Sequence, residues 1–338
     1  MGLQQMVLGS AGIPPITCDV FTYSSGSAQS WQGNRCLHGY SETSVDSGGS
    51  PPSGQGYYSA VEYFGIAACS NSADFGDQGS GEWRGQACTN MLSNRTRCCA
   101  AGGYSNAISK KIEYFTVATL GNASDVGNMI KESYNNGGCS NGTRGVITGI
   151  GDSNRNPNNT VMDYFTIANN NNASDFGDNT KYMDQRAGGV SNGTRGVFAN
   201  GQHANFDSMN IHLQYITIAS TGDSDPFGNL ETMRKNFGSC DNGSRGVWMG
   251  GNYSIKYNII DYVTIATTSD TTDFGDLSIA QTYASAASNG IRGVKTGGHT
   301  GSARIADIEF ITIATTSDAG DYADLLVAQN SGAAGSGD

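Results

Sequence analysis

Two series of charged residues recur along the chain, and their types could support ion binding. Arginines open a series of short Arg-Gly-Val-like motifs: Arg35, Arg97, Arg144, Arg195, Arg245 and Arg292. Aspartates recur in a second motif: Asp74, Asp125, Asp175, Asp225, Asp273 and Asp321. Converging guanidinium groups or carboxylates could form a polyanion site or an ion cage. However, a residue present in every repeat serves what every repeat needs. We therefore expect each arginine to bridge neighbouring units by bonding an Asp or a backbone carbonyl.

The residue that closes the aspartate motif is an acid in four repeats and an amide in two: Asp77, Asn128, Asp178, Asn229, Asp276 and Asp324. This exchange suits a turn cap, which either side chain can supply, better than it suits a metal ligand. The adjacent Cys98-Cys99 pair lacks the C-x-x-C spacing of zinc and redox sites. The sequence predicts neither a metal nor a cofactor.

Residues for nucleophilic catalysis are few. The four histidines lie in neither a Gly-x-Ser-x-Gly elbow nor an H-E-x-x-H pair: His38, His203, His212 and His299. Carboxylates are plentiful, so a glycosidase pair remains an alternative. No acid outside the repeat pattern stands out for that role, and we predict a non-enzymatic protein with no catalytic residues.

Composition narrows the class of partner. The formal net charge is -11 and charged residues make up 14% of the chain, which argues against nucleic acid as a partner. The sequence contains no run of about 18 apolar residues, so no membrane-spanning helix is predicted. The first ten residues contain no Lys or Arg and resemble no secretory signal. The eight cysteines are therefore predicted to be thiols rather than a disulfide framework. Cys36 and Cys98 follow a recurring arginine where other repeats have Gly, as small buried fillers do.

The elements that hold these residues repeat with a period of about 50 residues. Each repeat has an aromatic landmark in a β-branched stretch: Tyr63, Tyr114, Tyr164, Tyr215, Tyr262 and Phe310. A second apolar landmark follows 12 residues later in each: Phe75, Val126, Phe176, Phe227, Phe274 and Tyr322. Both landmarks and the arginine lie in predicted strands, and Asn-Gly pairs such as Asn192-Gly193 supply tight hairpin turns. Each repeat therefore predicts about four short strands.

Units of this size cannot bury their own apolar faces and must stack on neighbours. Four strands in about 50 residues, with Gly-Gly pairs such as Gly250-Gly251, are typical of kelch-like β-propeller blades. The chain stops where a seventh arginine is due, which would place Asp338 beside Arg35 in a closed ring. We predict an all-β protein with a six-bladed β-propeller; a β-solenoid stack is the alternative.

The predicted organisation is an N-terminal extension, residues 1–34, followed by the propeller, residues 35–338. The extension is either an anchor or a strand that closes the ring. Repeats start near the six recurring arginines, at 35, 97, 144, 195, 245 and 292.

Binding specificity is expected where the repeats differ, because repeat proteins carry it in variable loops on one face. These loops span 151–159, 202–210, 252–258 and 299–303, together with the long first-blade loop. Aromatic and basic residues among small polar ones suit polar ligands such as glycans. The candidate ligand-binding residues are Arg155, His203, Phe206, Tyr253, Tyr257 and His299. Ordinary solvated loops are the alternative interpretation.

The motifs Ser191-Asn192-Gly193-Thr194-Arg195-Gly196-Val197 and Asp273-Phe274-Gly275-Asp276-Leu277, with the Tyr262 strand, support a resemblance. From about residue 35 to 338 the chain resembles the kelch-like repeats of virion structural proteins of marine tailed phages, especially cyanophages. The resemblance implies a virion component of tail-fibre or tail-tip type and carries over no catalytic residue.

The expected function is therefore a phage adhesin that presents its loops to a host-surface glycan or protein. The N-terminal segment would bind other virion proteins, and the protein would be assembled in the host cytoplasm and carried on the virion. Alternatives are a structural module that binds only other virion proteins and a carbohydrate-active enzyme.

Overall fold

A computed structural model describes residues 29, 31–42, 58–78, 91–103, 108–133, 136–150, 160–181, 188–199, 211–330 and 332–338. These residues form 24 β-strands. None of the chain so described forms a helix long and apolar enough to cross a membrane.

The strands assemble into six sheets of four antiparallel strands each. Blades 1 to 3 contain β1 (Arg35–Glu42), β2 (Tyr58–Gly65), β3 (Ala73–Asp77), β4 (Leu92–Ser93), β5 (Arg97–Ala101), β6 (Lys111–Thr116), β7 (Ser124–Asn128), β8 (Gly137–Ser140), β9 (Arg144–Ile150), β10 (Val161–Thr166) and β11 (Ser174–Asp178). Blades 4 to 6 contain β12 (Gly188–Ser191), β13 (Arg195–Ala199), β14 (His212–Thr217), β15 (Asp225–Asn229), β16 (Gly238–Asp241), β17 (Arg245–Met249), β18 (Tyr257–Thr264), β19 (Thr272–Gln281), β20 (Ser285–Ser288), β21 (Arg292–Thr296), β22 (Ile305–Thr312) and β23 (Gly320–Gln329). The last strand, β24 (Ala333–Gly337), belongs to blade 1.

In blades 2 to 6 the innermost strand immediately precedes the arginine strand in the chain, whereas in blade 1 it is the C-terminal β24. The outermost strand of every blade carries the recurring aspartate. The innermost strands contact one another in the circular order β4, β8, β12, β16, β20 and β24. The predicted six-bladed β-propeller is confirmed, and the β-solenoid alternative is wrong because an open stack would leave its first and last repeats apart.

Ring closure comes from the C-terminus. Strand β24 pairs with β1, and Gly337 lies opposite Arg35. Asp338 Oδ1 accepts a hydrogen bond from Asn34 N at 2.6 Å, and its carboxylate also pairs with Arg95. The sequence left open whether the N-terminal segment supplies the strand that closes the ring. In the structure, β24 is the innermost strand of blade 1. Gln29 and residues 31–34 are described and belong to no strand before β1.

Local sequence explains the tight turns and bulges. In the turn from β12 to β13, Asn192 Oδ1 accepts hydrogen bonds from Thr194 N and Arg195 N, and Gly193 has a φ of +83°. On the outermost strand of blade 3, Gly177 has a φ of +138° at a β-bulge and lies against the backbone of Gly222 in blade 4. A side chain at Gly177 would strain the backbone and separate the two blades.

The core is divided among the six spaces between blades. Each contains its own apolar cluster, such as Cys36, Phe64 and Ile66 of blade 1 against Val294 and Ile308 of blade 6. The others are built alike around the remaining blade pairs. Because each sheet is covered on both faces, its strands are apolar on both sides and lack the alternation of a half-exposed sheet.

Candidate ligand-binding face

The six recurring arginines join neighbouring blades. In each, Nη1 donates to a backbone carbonyl just beyond the aromatic strand of the next blade, as from Arg144 to Ile218 O at 3.0 Å. The other five follow the same pattern. Arg292 of blade 6 donates to Ile66 O of blade 1 at 3.2 Å, so the series runs around the whole ring. Of the two acceptors expected from sequence, the carbonyl is the one found here.

Each arginine also lies over the aromatic landmark of its own blade. The guanidinium carbon of Arg97 is 3.9 Å from the ring centroid of Tyr114, and that of Arg195 is 4.2 Å from that of Tyr215. In the five blades whose landmarks are both aromatic, the two rings pack edge to face, as those of Tyr262 and Phe274 do at 5.8 Å between centroids. These contacts fix the side-chain geometry of the bridge between blades.

The six recurring aspartates are exposed on the outermost strands of separate blades, so they form no ion cage. The residues that close the same motif contribute their backbone. Asp178 N donates to Asp223 Oδ1 of the next blade at 2.9 Å, and Asp77 N donates to Asn122 Oδ1 at 2.9 Å. Since the bridge uses a backbone N–H, it tolerates either Asp or Asn at this position.

Sequence reasoning missed a ring of buried polar side chains. They lie immediately before the aromatic landmarks: Glu62, Glu113, Asp163, Gln214, Asp261 and Glu309. Four of them, Glu62, Asp163, Gln214 and Glu309, accept a hydrogen bond from the backbone where the preceding blade leaves its outermost strand. Ile130 N donates to Asp163 Oδ2 at 2.7 Å, and Ser278 N donates to Glu309 Oε1 at 2.7 Å. The signal was present in the sequence as an acid or Gln before every landmark aromatic.

Among the described residues, two of these acids lie beside a buried cationic side chain, and a third lies opposite a histidine. Asp261 pairs with the buried Arg234, and Glu309 lies 3.1 Å from the buried Lys295 Nζ. His38 occupies the position on β1 that Lys295 occupies on β21, and burial lowers its pKa to about 4. In blade 3, burial raises the pKa of Asp163 to about 6, an effect that the hydrogen bond from Ile130 N partly offsets.

A second polar ring surrounds one mouth of the central channel. The corresponding residue of each innermost strand is Ser, except in blade 5: Ser93, Ser140, Ser191, Asp241, Ser288 and Ser336. Asp241 Oδ2 accepts from Ser191 N at 2.9 Å, and its Oδ1 accepts from Gln32 Nε2 at 2.8 Å. Burial raises the pKa of Asp241 to about 7, although these N–H donors favour its charged form.

The end of the N-terminal segment covers this mouth. Gln32 Nε2 also donates to Asp241 O at 2.9 Å, and the Trp31 ring packs against Gly193. Trp31 and Gln32 are 8% and 5% exposed. Together with the innermost strands they line an open cavity of about 60 Å³. We call Gln29 and residues 31–34 the N-terminal strap.

Five cysteines are buried thiols: Cys36, Cys98, Cys99, Cys139 and Cys240. Burial raises the pKa of each, in Cys98 to about 12, so these thiols are poor nucleophiles. Cys69, however, is disulfide-bonded, and its partner lies outside the described residues. The prediction that all cysteines are thiols is therefore wrong at Cys69. Sequence reasoning used the absence of a signal, which says nothing about how close two sulfur atoms lie in the fold.

Three of the candidate binding residues, Tyr253, Tyr257 and His299, fall on the face opposite the strap, where the second and third strands of a blade are connected. We call this the loop face. Tyr253 is 48% exposed and Ile255 is 63% exposed in the blade 5 loop, while Tyr257 and His299 are half-buried. Arg155, His203 and Phe206, with loops 151–159 and 202–210, lie outside the described residues.

Hydrogen bonds bring the blade 5 and blade 6 loops together. The backbones of Asn252 and Lys235 exchange two hydrogen bonds, as do those of His299 and Thr282. Thr282 Oγ1 donates to Asn252 Oδ1 at 2.6 Å, which links the two pairs. Tyr253, Tyr257 and His299 are therefore held in adjoining, well-tethered loops.

Within the described residues, no group of three or more His, Cys, Asp or Glu side chains could hold a metal ion. The arrangement on the loop face offers aromatic rings and hydrogen-bond donors, which suit binding.

No family model matches this chain, and no curated protein matches it.

Proposed function

We propose that this protein is a non-enzymatic binding module, an adhesin of a phage tail fibre or tail tip. In this proposal the loop face contacts a glycan or protein on the host surface, and the N-terminal segment attaches the propeller to other virion proteins. The phage assignment depends on the sequence resemblance of residues 35–338 to virion repeat proteins.

One contrast in the structure supports the binding role. Described repeat residues that could do chemistry are used between blades: the recurring arginines bind carbonyls, and buried acids such as Asp163 and Glu309 receive backbone N–H groups. The residues that differ between blades include the exposed Tyr253 and Ile255 on the loop face. Exposed aromatic residues on a rigid surface are typical of recognition sites.

The tethering of these loops also favours recognition. Tyr253 N donates to Ile255 O at 3.0 Å, and Tyr257 N donates to Gly251 O at 2.8 Å. Loops whose backbone is already ordered lose less conformational entropy when a ligand binds.

The first test is binding of the purified full chain to a glycan array and to host cells. We expect binding that is lost when loops 151–159, 202–210 and 252–256 are replaced by Gly-Ser segments of equal length. The Leu120→Ser substitution is the matched control. Leu120 is 55% exposed in a turn on the strap side of the ring, so its substitution removes an exposed apolar side chain from the other face.

Three outcomes would contradict the proposal. Binding to virion proteins alone, with none to cells or glycans, would indicate a structural module. Equal loss of binding in Leu120→Ser would place recognition away from the loop face. Turnover of host polysaccharide that a single carboxylate substitution abolishes would make the protein a carbohydrate-active enzyme.

A further inference from the structure

The adjoining loops of blades 5 and 6 have a charge opposite to that of the whole chain. Residues 250–258, 281–284 and 298–305 contain Lys256, Arg304 and His299 but no Asp or Glu, whereas the net charge of the protein is -11. A local basic patch on an acidic protein can concentrate anionic ligands despite the unfavourable net charge.

These basic residues are close together in the fold. The Lys256 side chain packs over Gly301 in the blade 6 loop. His299 pairs across a β-bridge with Arg304, and Lys235 pairs with Asn252 three residues before Ile255. Lys235 therefore adds a further cation at the edge of the same surface.

Two tyrosines lie among the cations. Tyr253 is 48% exposed, and Tyr257 is partly buried at the start of β18. Aromatic rings of this kind present a flat apolar face and a hydroxyl group, which can contact a sugar ring and its hydroxyls together.

His299 adds an oriented donor. Its Nδ1 accepts a hydrogen bond from Gly301 N at 2.9 Å, so the neutral ring carries its proton on Nε2. A proton on Nε2 makes that nitrogen a hydrogen-bond donor whose direction is set by the Gly301 contact.

We propose that this surface, formed by Lys235, Tyr253, Lys256, Tyr257, His299 and Arg304, binds the anionic groups of an acidic polysaccharide. Lys and Arg side chains contact its carboxylate or sulfate groups, and the tyrosines contact its sugar rings. Arginine can bind such groups through two parallel N–H bonds, while lysine acts as a point charge. The inference rests on the proposed binding function and narrows its ligand class.

The test measures binding of the full chain to three probes: polygalacturonate, dextran sulfate and neutral dextran. We expect binding to at least one anionic probe and none to neutral dextran. Binding should weaken as salt rises, because exposed charge pairs are screened. The Lys256→Gln/Arg304→Gln double variant should bind about tenfold or more weakly, as expected for the loss of two charged contacts.

The control is Lys110→Gln/Lys181→Gln, which removes the same charge from exposed lysines of blades 2 and 3. It should bind within about twofold of the parent protein, since its charges lie on blades 2 and 3 and not on the blade 5 and blade 6 loops. Tyr253→Ala keeps all the cations and should still weaken binding, which tests the sugar contact separately.

Several results would overturn the inference. These are equal weakening in the control variant, binding to neutral dextran as strong as to the anionic probes, or equal binding to single-stranded DNA of similar charge. Host-cell binding that survives the Lys256→Gln/Arg304→Gln change would also overturn it, while leaving the proposed function in place. Absence of binding to cells, glycans and all probes would overturn both.

Discussion

At the scale of single residues, Asp163 and its counterparts show how one position serves all six blades with different charge. Asp261 and Glu309 have buried cationic partners, and Gln214 is neutral. Gln214 Oε1 accepts from Lys181 N at 2.8 Å, the same contact that Asp163 receives from Ile130 N. An uncharged amide therefore suffices for the contact between blades at this position.

Three buried groups affect how stability depends on pH. Burial raises the pKa of Asp163 from 3.8 to about 6 and that of Asp241 from 3.8 to about 7. Between the unfolded and the folded pKa of each group, the folded protein holds a proton that the unfolded chain has lost, so stability falls as pH rises through that range. Burial lowers the pKa of His38 from 6.5 to about 4, and over that range its contribution to stability rises with pH.

Asp163→Asn should remove one of the two contributions to folding stability that decrease as pH rises. Below about pH 3 we expect the variant and the parent protein to have similar free energies of unfolding, because Asp163 is then protonated in both the folded and the unfolded state. Above about pH 6 the variant should be the more stable, since it avoids burying a carboxylate. Urea denaturation at several pH values measures the difference.

Asp125→Asn is the control, because it removes an exposed carboxylate from the outermost strand of blade 2. A difference between Asp163→Asn and the parent protein that does not change with pH would contradict the assignment.

At the scale of elements, the N-terminal strap crosses the channel mouth and contacts three blades. Gln32 contacts Asp241 of blade 5, Trp31 packs on Gly193 of blade 4, and Asn34 O accepts from Ile66 N of blade 1 at 2.7 Å. The single acid in the serine ring lies where Gln32 can reach it. Asp241 therefore distinguishes one blade and gives the strap one orientation on an otherwise repetitive ring.

Gln32→Ala should release the strap without unfolding the blades. The variant loses two hydrogen bonds to Asp241, one of them to the carboxyl group. Hydrogen bonds to charged groups contribute about 1.5–3 kcal/mol, so amide exchange at residues 31–34 should quicken roughly tenfold or more. Hydrogen-exchange mass spectrometry measures this directly.

Gln29→Ala provides a graded comparison, because Gln29 makes one longer bond, to Asn242 O at 3.3 Å. It should change exchange less than Gln32→Ala does. If exchange accelerated equally across the blade strands in Gln32→Ala, the strap would be part of the cooperative fold rather than a separate element.

At the scale of the whole molecule, closure joins the two ends of the propeller in one sheet. Blade 1 takes β1, β2 and β3 from the start of the repeats and β24 from their end. The arginine series closes in the same place, where Arg292 binds Ile66 O. Each blade interface depends on both neighbours, so an opened ring exposes two apolar sheet faces at once.

Deletion of residues 332–338 should therefore destabilise all six blades. The truncated chain loses the ladder between β24 and β1 and uncovers the cluster around Cys36 and Ile66. We expect a single thermal transition shifted down by about 10 °C or more, as for the loss of several buried contacts. Calorimetry measures the shift.

Asp338→Ala isolates the surface ion pair with Arg95 from the strand itself. An exposed pair contributes about 0–1 kcal/mol, so this variant should lose far less stability than the truncation. Two separate transitions in the truncated chain, one confined to blade 1, would show that closure does not couple the blades.

Much of this architecture was readable from periodicity. The 12-residue interval between Tyr262 and Phe274 spans a short turn, and the turn fixes how the two strands pair. The arginines were interpreted as bridges between blades because the same residue at the same position of every repeat has the same environment in every blade. The buried acids were equally regular but were overlooked beside the aromatic residues they precede. On the candidate face, the sequence identified Tyr253, Tyr257 and His299 as variable-loop residues but could not show that they adjoin.

The sequence by itself determined the period, the strand types, the turns and the number of blades, because these depend on local propensity and on short intervals along the chain. Only the tertiary structure decided which residues meet across the ring: Asp241 with Gln32, Lys256 with Gly301, and Cys69 with a disulfide partner. Such contacts join residues far apart in sequence, and their geometry is set when apolar sheet faces stack and close the circle. Periodicity describes each blade; closure of the ring determines what each blade faces.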